Sequence, residues 1–244
     1  MLKHAPLVFL LDVDNTLLDN DRFATDLTTQ LDHAFGRTER ERYWSIYNGL
    51  RDALGYADYL GALQQFRAGI DDEAALLQMS SFLLDYPFTE RLYPGALATI
   101  DRLRTLGTAV ILSDGDIVFQ PRKIQYSGLW KAMDGRVLVY VHKERMLDIV
   151  QRRFPAKHYV MIDDKPQILA AAKRILLDRL TTVFVRQGHY AADAASLIID
   201  PMPDVTVEHI GDLRDFTLSD FRADATARAE YADRDQTPKA APPE

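Results

Sequence analysis

The sequence predicts an α/β protein: a doubly wound parallel sheet with an all-helical insert after its first strand. Three observations predict it. An apolar run, Pro6-Leu7-Val8-Phe9-Leu10-Leu11, leads directly into Asp12 and Asp14. From Asp19 to Tyr93 the apolar residues recur at helical spacing and no strand is evident. Beyond Tyr93-Pro94-Gly95, strand and helix patterns alternate to the end of the sheet-forming region.

The first run is uniformly apolar, as an interior parallel strand buried on both faces must be. In the insert, Phe23, Leu27, Leu31 and Phe35 mark one helix, and Tyr43, Ile46, Tyr47, Leu50 and Leu54 a second. Leu60, Leu63 and Phe66 mark another. Asp71-Asp72-Glu73 supplies an acidic first turn to a helix through Leu76, Leu77 and Leu84. Ala96 to Leu106 is then a helix stopped by Gly107, and Thr108 to Leu112 a strand ending at Ser113-Asp114-Gly115-Asp116. Ile117 to Tyr126 is expected to be helical despite Pro121, and Arg136 to Val141 a third strand. Glu144 to Phe154 reads as a helix, and Tyr159 to Ile162 as a strand ending in Asp163-Asp164. A helix over Ile168 to Leu177 and strands at Thr181–Val185 and Val205–Val207 complete the pattern. From about Arg222 the composition shifts to Ala, Asp, Arg and Pro, which predicts a flexible tail over 222–244.

The 244 residues suffice for a substantial core, and 47% hydrophobic with 27% charged residues is the balance of a globular protein. A net charge of -7 disfavours nucleic acid or an anionic membrane as partner. The absence of cysteine excludes disulfides, thiolate metal sites and cysteine nucleophiles. Asp12 and Asp14 cut the N-terminal apolar stretch too short for a secretory signal, and no run is long enough for a membrane helix. The expected location is the cytoplasm.

Three strands end in polar groups: Asp12 and Asp14, then Ser113 and Asp114, then Asp163 and Asp164. In a parallel sheet such ends converge on one edge, where open α/β sheets bind ligands. Like charges ~4 Å apart repel by roughly 4 kcal/mol at an effective dielectric of 20. The carboxylates must therefore bind a cation, share protons or diverge. With oxygen ligands only, the matching cation is a hard one such as Mg²⁺, which leaves coordination places for phosphate oxygens. Lys143, just past the Val141 strand end, could join a carboxylate to a phosphoryl oxygen, with Ser113 donating to the same group.

The ordered set Asp12-Val13-Asp14-Asn15-Thr16, Ser113-Asp114-Gly115, Lys143 and Asp163-Asp164 resembles the four motifs of the haloacid dehalogenase-like hydrolase superfamily. The resemblance covers about residues 6 to 200 and includes Tyr93-Pro94-Gly95. It implies a Rossmann-like catalytic core over 1–18 and 93–221 and a helical cap over 19–92. It also implies a Mg²⁺-dependent phosphomonoester hydrolase acting on a small phosphorylated metabolite. Asp12 would attack phosphorus to form an aspartyl-phosphate, and Asp14 would serve as acid and then base. Thr16, Ser113, Asp114 and Lys143 would bind the substrate. Asp12, the Asp14 carbonyl, Asp163 and Asp164 would provide the metal ligands, with Asp164 favoured as the primary one of its pair. True dehalogenases resemble this pattern but lack an acid at the position of Asp14, because a halide leaving group needs no proton. One departure is that Gln167, Ile168 and Leu169 stand where many relatives carry a further acid.

Other readings compete. A calcium loop beginning at Asp12 would want an acid at its twelfth position, which is Phe23. Ser113 to Asp116 alone could be a turn and helix cap. A phosphotransferase or phosphomutase would use the same Asp12, and a non-catalytic binding module would keep only the fold. Lys123 and Lys131 rival Lys143, but helical or loop settings make them poorer candidates. His142 is expected to point away from Lys143 and is assigned no role, and Arg186 and His189 are expected to lie on the surface. Tyr43, Trp44, Tyr47, Tyr56 and Tyr59 are expected mainly to pack, with Tyr47, Asn48 and Arg51 as candidates for gripping the leaving group.

Overall fold

The computed structural model describes residues 5–194 and 198–221. The expected tail over 222–244 lies outside the described residues. Six parallel strands form one sheet in the order β3-β2-β1-β4-β5-β6. They are β1 Ala5–Leu11, β2 Thr108–Asp114, β3 Val137–Tyr140, β4 Ala156–Asp163, β5 Leu180–Val185 and β6 Val205–Val207.

The central position of β1 explains its composition. Leu7, Phe9 and Leu11 pack into the apolar cluster on one face of the sheet, and Val8 and Leu10 into the cluster on the other. Alternate side chains point to opposite faces, so a strand covered on both sides needs apolar residues throughout. The chain passes from β1 to β2 and β3 on one side, then crosses back to β4 on the other. The β1–β4 boundary is therefore the topological switch point, where ligands bind in open α/β sheets.

Between β1 and β2 lie α1 Asn20–Leu54, α2 Tyr59–Phe66 and α3 Glu73–Asp85. Asp19, Asp58 and Asp72 cap their N-termini, accepting the backbone N–H of Arg22, Gly61 and Ala75. The α1 span is broken at Gly36 (φ 79°, ψ 171°), which separates the two periodic stretches expected from the sequence. A 3-10 turn, Phe88–Arg91, leads back to the core. The entering and leaving chains pair side by side there: Asp19 N–H donates to the Arg91 carbonyl (2.7 Å) and Tyr93 N–H to that of Leu17 (3.0 Å).

The remaining helices are α4 Ala96–Leu106, α5 Phe119–Tyr126, α6 Leu129–Ala132, α7 Leu147–Arg153, α8 Pro166–Leu176 and α9 Gly188–Ala194. Two of them start later than expected. The Asp116 carboxylate accepts the N–H groups of Val118 and Phe119, which delays α5 from Ile117 to Phe119. A 3-10 turn over Lys143–Arg145 precedes α7, because His142 adopts a left-handed conformation (φ 57°) and the Lys143 N–H is tied to Asp114. Among the described residues, no helix is long and apolar enough to cross a membrane.

Candidate active site

Asp12 follows β1 and its N–H donates to the Ile162 carbonyl (3.0 Å), which sets it beside the end of β4. Lys143 reaches the same place from the far side of β2. Its fully buried ammonium lies 2.5 Å from Asp12 Oδ1 and 2.6 Å from Asp163 Oδ2. Asp163 Oδ1 accepts the Lys165 N–H (2.9 Å). Thr16 donates its hydroxyl to Asp12 Oδ2 at 3.5 Å. Asp114 accepts the Lys143 backbone N–H (2.8 Å), so it positions the segment that carries the lysine.

Carboxylate oxygens of Asp12, Asp163 and Asp164 can all lie within 4.8 Å of one another. All three residues are buried, and neither oxygen of Asp164 has a hydrogen-bond partner. Burial pushes the Asp164 carboxyl well above the usual range, more than neighbouring Lys165 can offset, and Asp163 and Asp12 add to the rise. Burial also raises Asp163, with Lys143 opposing, and raises Asp114. Lys143 is pushed up although burial opposes its charge, because Asp12, Asp163 and Asp114 surround it. Lys165 is raised in the same way, by Asp164 and Asp12 against the effect of its own burial. Three hard-oxygen donors with an orphaned carboxylate among them fit a divalent cation such as Mg²⁺.

Asp14 is oriented differently. Its carboxylate is outside that cluster and accepts from Lys123 Nζ (2.8 and 3.0 Å) and Gln120 Nε2 (3.2 Å). Gln120 also donates to Ser113 Oγ (2.9 Å), joining Asp14 to the second motif. Any share of Asp14 in the metal site would therefore fall to its backbone carbonyl.

A cavity of about 820 Å³ opens above these groups. Asp14, Asp114 and Lys165 contribute to its core wall, and Trp44, Tyr47, Asn48, Arg51, Tyr56 and Tyr59 line it from the helical segment. Asp12, Ser113, Lys143, Asp163 and Asp164 are not on its wall but buried beside it. Among the expected packing aromatics, Tyr43 is fully buried and the other four line the cavity as well.

The structure places several further residues. His142 lines the cavity and its ring packs on Gly55, where an added Cβ would meet Cε1 at 2.6 Å. The left-handed backbone at His142 turns the ring toward the helical segment. His189 also lines the cavity, held by Asp21, which accepts its N–H (2.8 Å) and lies 2.6 Å from its Nδ1. Arg186 is on the surface, paired with Glu208 at 3.1 Å. Lys123, set aside in favour of Lys143, is nevertheless buried against Asp14. The sequence signal was its place in the buried stripe Phe119, Gln120, Lys123, Ile124. Asn15 (φ 60°) was overlooked beyond its motif position; its Oδ1 accepts the N–H groups of Asn20 and Asp21 and anchors the start of α1.

The haloacid dehalogenase-like hydrolase family profile matches residues 7–175. A haloacid dehalogenase-like hydrolase from Burkholderia xenovorans LB400 is 56% identical, over 88% of this chain and 100% of that one, with a TM-score of 0.82. L-2-haloacid dehalogenase from Xanthobacter autotrophicus shares the fold at 19% identity and a TM-score of 0.55, over 85% of this chain and 96% of that one. The HAD-hydrolase YfnB from Bacillus subtilis, solved bound to magnesium, does so at 16% identity and 0.59, over 86% and 97%. No curated protein matches the chain. With the profile spanning its four motifs and a relative matched over that relative's whole length, this chain belongs to the haloacid dehalogenase-like hydrolases.

Proposed function

We propose that the chain is a Mg²⁺-dependent phosphomonoester hydrolase acting on a small phosphorylated metabolite. Residues 1–18 and 93–221 serve as the catalytic core, and 19–92 as a cap that encloses the substrate and excludes water. The observation that carries this reading is Asp14, an acid at the cavity wall two residues after the nucleophile position. A halide leaves without a proton; an alkoxide needs one.

In this reading an Asp12 oxygen bonds to phosphorus as the phosphorus–oxygen ester bond breaks. Asp14, protonated on one oxygen while Lys123 and Gln120 keep the other, gives that proton to the departing oxygen, releasing an alcohol. Asp14 then takes a proton from water as that water attacks the aspartyl-phosphate, and phosphate and free Asp12 result. Ser113 and Lys143 hold phosphoryl oxygens, with Thr16 and Asp114 supporting the same pocket. Asp12, Asp163, Asp164 and the Asp14 carbonyl would hold the divalent ion, whose contribution is to neutralise charge on the phosphoryl group.

The test pairs wild type and Asp12→Asn on 4-nitrophenyl phosphate and on 2-chloropropionate. We expect Mg²⁺-dependent release of nitrophenol by wild type, a loss of at least about 10³-fold in the variant with the fold intact, and no chloride release. Chloride release without phosphate release would replace this reading with a dehalogenase.

A further inference from the structure

We infer that Lys123 is a positioning residue for Asp14, fixing the carboxylate that serves the leaving group; this rests on the phosphoester reading above. The ammonium spends its donors on three oxygens: Asp14 Oδ1 (2.8 Å), Asp14 Oδ2 (3.0 Å) and Asn20 Oδ1 (2.9 Å). Four rings surround it, with centroids at 5.9 Å for Phe23 and Tyr59, 5.8 Å for Phe88 and 5.5 Å for Phe119. Lys123 is only 1% exposed.

The arrangement is costly if its purpose is packing. Apolar residues in place of both partners of a buried ion pair are often as stabilising as the pair itself. Phe23, Tyr59, Phe88 and Phe119 would accept a methionine in that space. What an apolar side chain cannot do is grip both oxygens of Asp14 and so set the plane of its carboxylate. Gln120 holds Asp14 Oδ2 from a second direction (3.2 Å), and its other contact, to Ser113 Oγ (2.9 Å), ties that plane to the second motif. Asn20, the first residue of α1, ties the ammonium to the helical segment. A displacement of about 1 Å in such a group lowers the rate by about 10²-fold.

Positioning through Asp14 has a signature that packing lacks: it must depend on the leaving group. Lys123→Met and Lys123→Arg are compared with wild type on phenyl phosphate and on 4-nitrophenyl phosphate, whose leaving group needs less protonation. Lys123→Met is expected to lower kcat/KM by about 100-fold on phenyl phosphate and by about 10-fold or less on the nitro ester. Its melting temperature should fall by several degrees, because Asp14 and Asn20 lose their buried donor, so all variants are assayed well below their melting ranges. In an Asp14→Asn background it should cause no further loss, because both changes remove one function. Lys123→Arg, which keeps a cation, should recover part of the phenyl phosphate activity. Equal losses on the two esters, additive losses with Asp14→Asn, or unfolding of both variants would overturn the assignment while leaving the phosphatase intact. Failure of wild type to hydrolyse either ester would instead remove the phosphoester reading, and this inference with it.

Discussion

Both oxygens of Asp164 are buried without a protein donor, and this makes the residue a burden on the metal-free fold. An unsatisfied buried polar group costs about 1–3 kcal/mol, more when charged. Asp164→Asn removes the charge and supplies an amide N–H₂ that can donate to the neighbouring carboxylates of Asp12 or Asp163. We predict that the variant melts a few degrees higher than wild type without metal, at about 2–4 °C per kcal/mol for a chain of this size. We also predict that the rise in melting temperature on adding Mg²⁺, present in wild type by mass action, largely disappears. A lower metal-free melting temperature for Asp164→Asn would mean that this carboxylate already contributes to folding. Asp163 and Asp164 were visible in the sequence as a pair ending an apolar strand, but their division of labour was not. Asp163 is the one tied to Lys143 and to the Lys165 N–H, which leaves Asp164 open, and both ties come from tertiary placement. The burial of Lys123 was hidden for the same reason: a lysine on a helix is ordinarily solvated, and only packing of that helix against Phe23 and Phe88 reveals that this one faces Asp14.

At the scale of elements, the strands were legible because burial on both faces demands apolar runs, unbroken in β1. Their ends were less so. β4 begins at Ala156 rather than Tyr159, since pairing of Ala5 with Ala156 depends on the partner strand and not on local composition. One junction between elements has a pH signature. Asp204, at the approach to β6, accepts from Lys173 Nζ on α8 (2.8 Å) and from the N–H (2.9 Å) and hydroxyl (3.1 Å) of Thr182 on β5. Burial would raise its pKa, but the Lys173 and Thr182 hydrogen bonds together outweigh burial, so the carboxyl sits below its usual value. A carboxyl depressed in the fold stabilises it above the unfolded value of about 3.9, and that stability is lost as pH falls through the lower folded value. Asp204→Asn should therefore cost about 1.5–3 kcal/mol at neutral pH, and the deficit should shrink in acid below about pH 4. Urea unfolding of both proteins at neutral and acid pH measures it; a deficit that is constant with pH would show that the charge is not what Lys173 and Thr182 read.

For the whole molecule, the question is whether the helical segment can unfold by itself. Its topology suggests independence, since it is inserted between two strands of the sheet. Its packing argues the reverse. Phe23 on α1 is fully buried and meets Tyr59 of α2, Tyr86, Phe88 and core residue Phe119 with ring centroids 4.9–5.8 Å away. The same apolar cluster continues without a break to Leu7, Phe9 and Leu11 in the central strand. The two chain crossings are bonded to each other rather than forming loose linkers. A shared core of this kind couples the parts, so we predict one cooperative urea transition seen identically by helix signal and by aromatic fluorescence. Phe23→Ala should lower stability by about 3–5 kcal/mol, the range for emptying a buried aromatic site. If the segments are coupled, the variant moves the midpoint of both signals together with the slope unchanged. If they are not, Phe23→Ala detaches the helical transition to lower urea and leaves the sheet where it was. The coupled outcome has a catalytic consequence, because Phe23 also walls in Lys123: the variant should lose activity even where it remains fully folded.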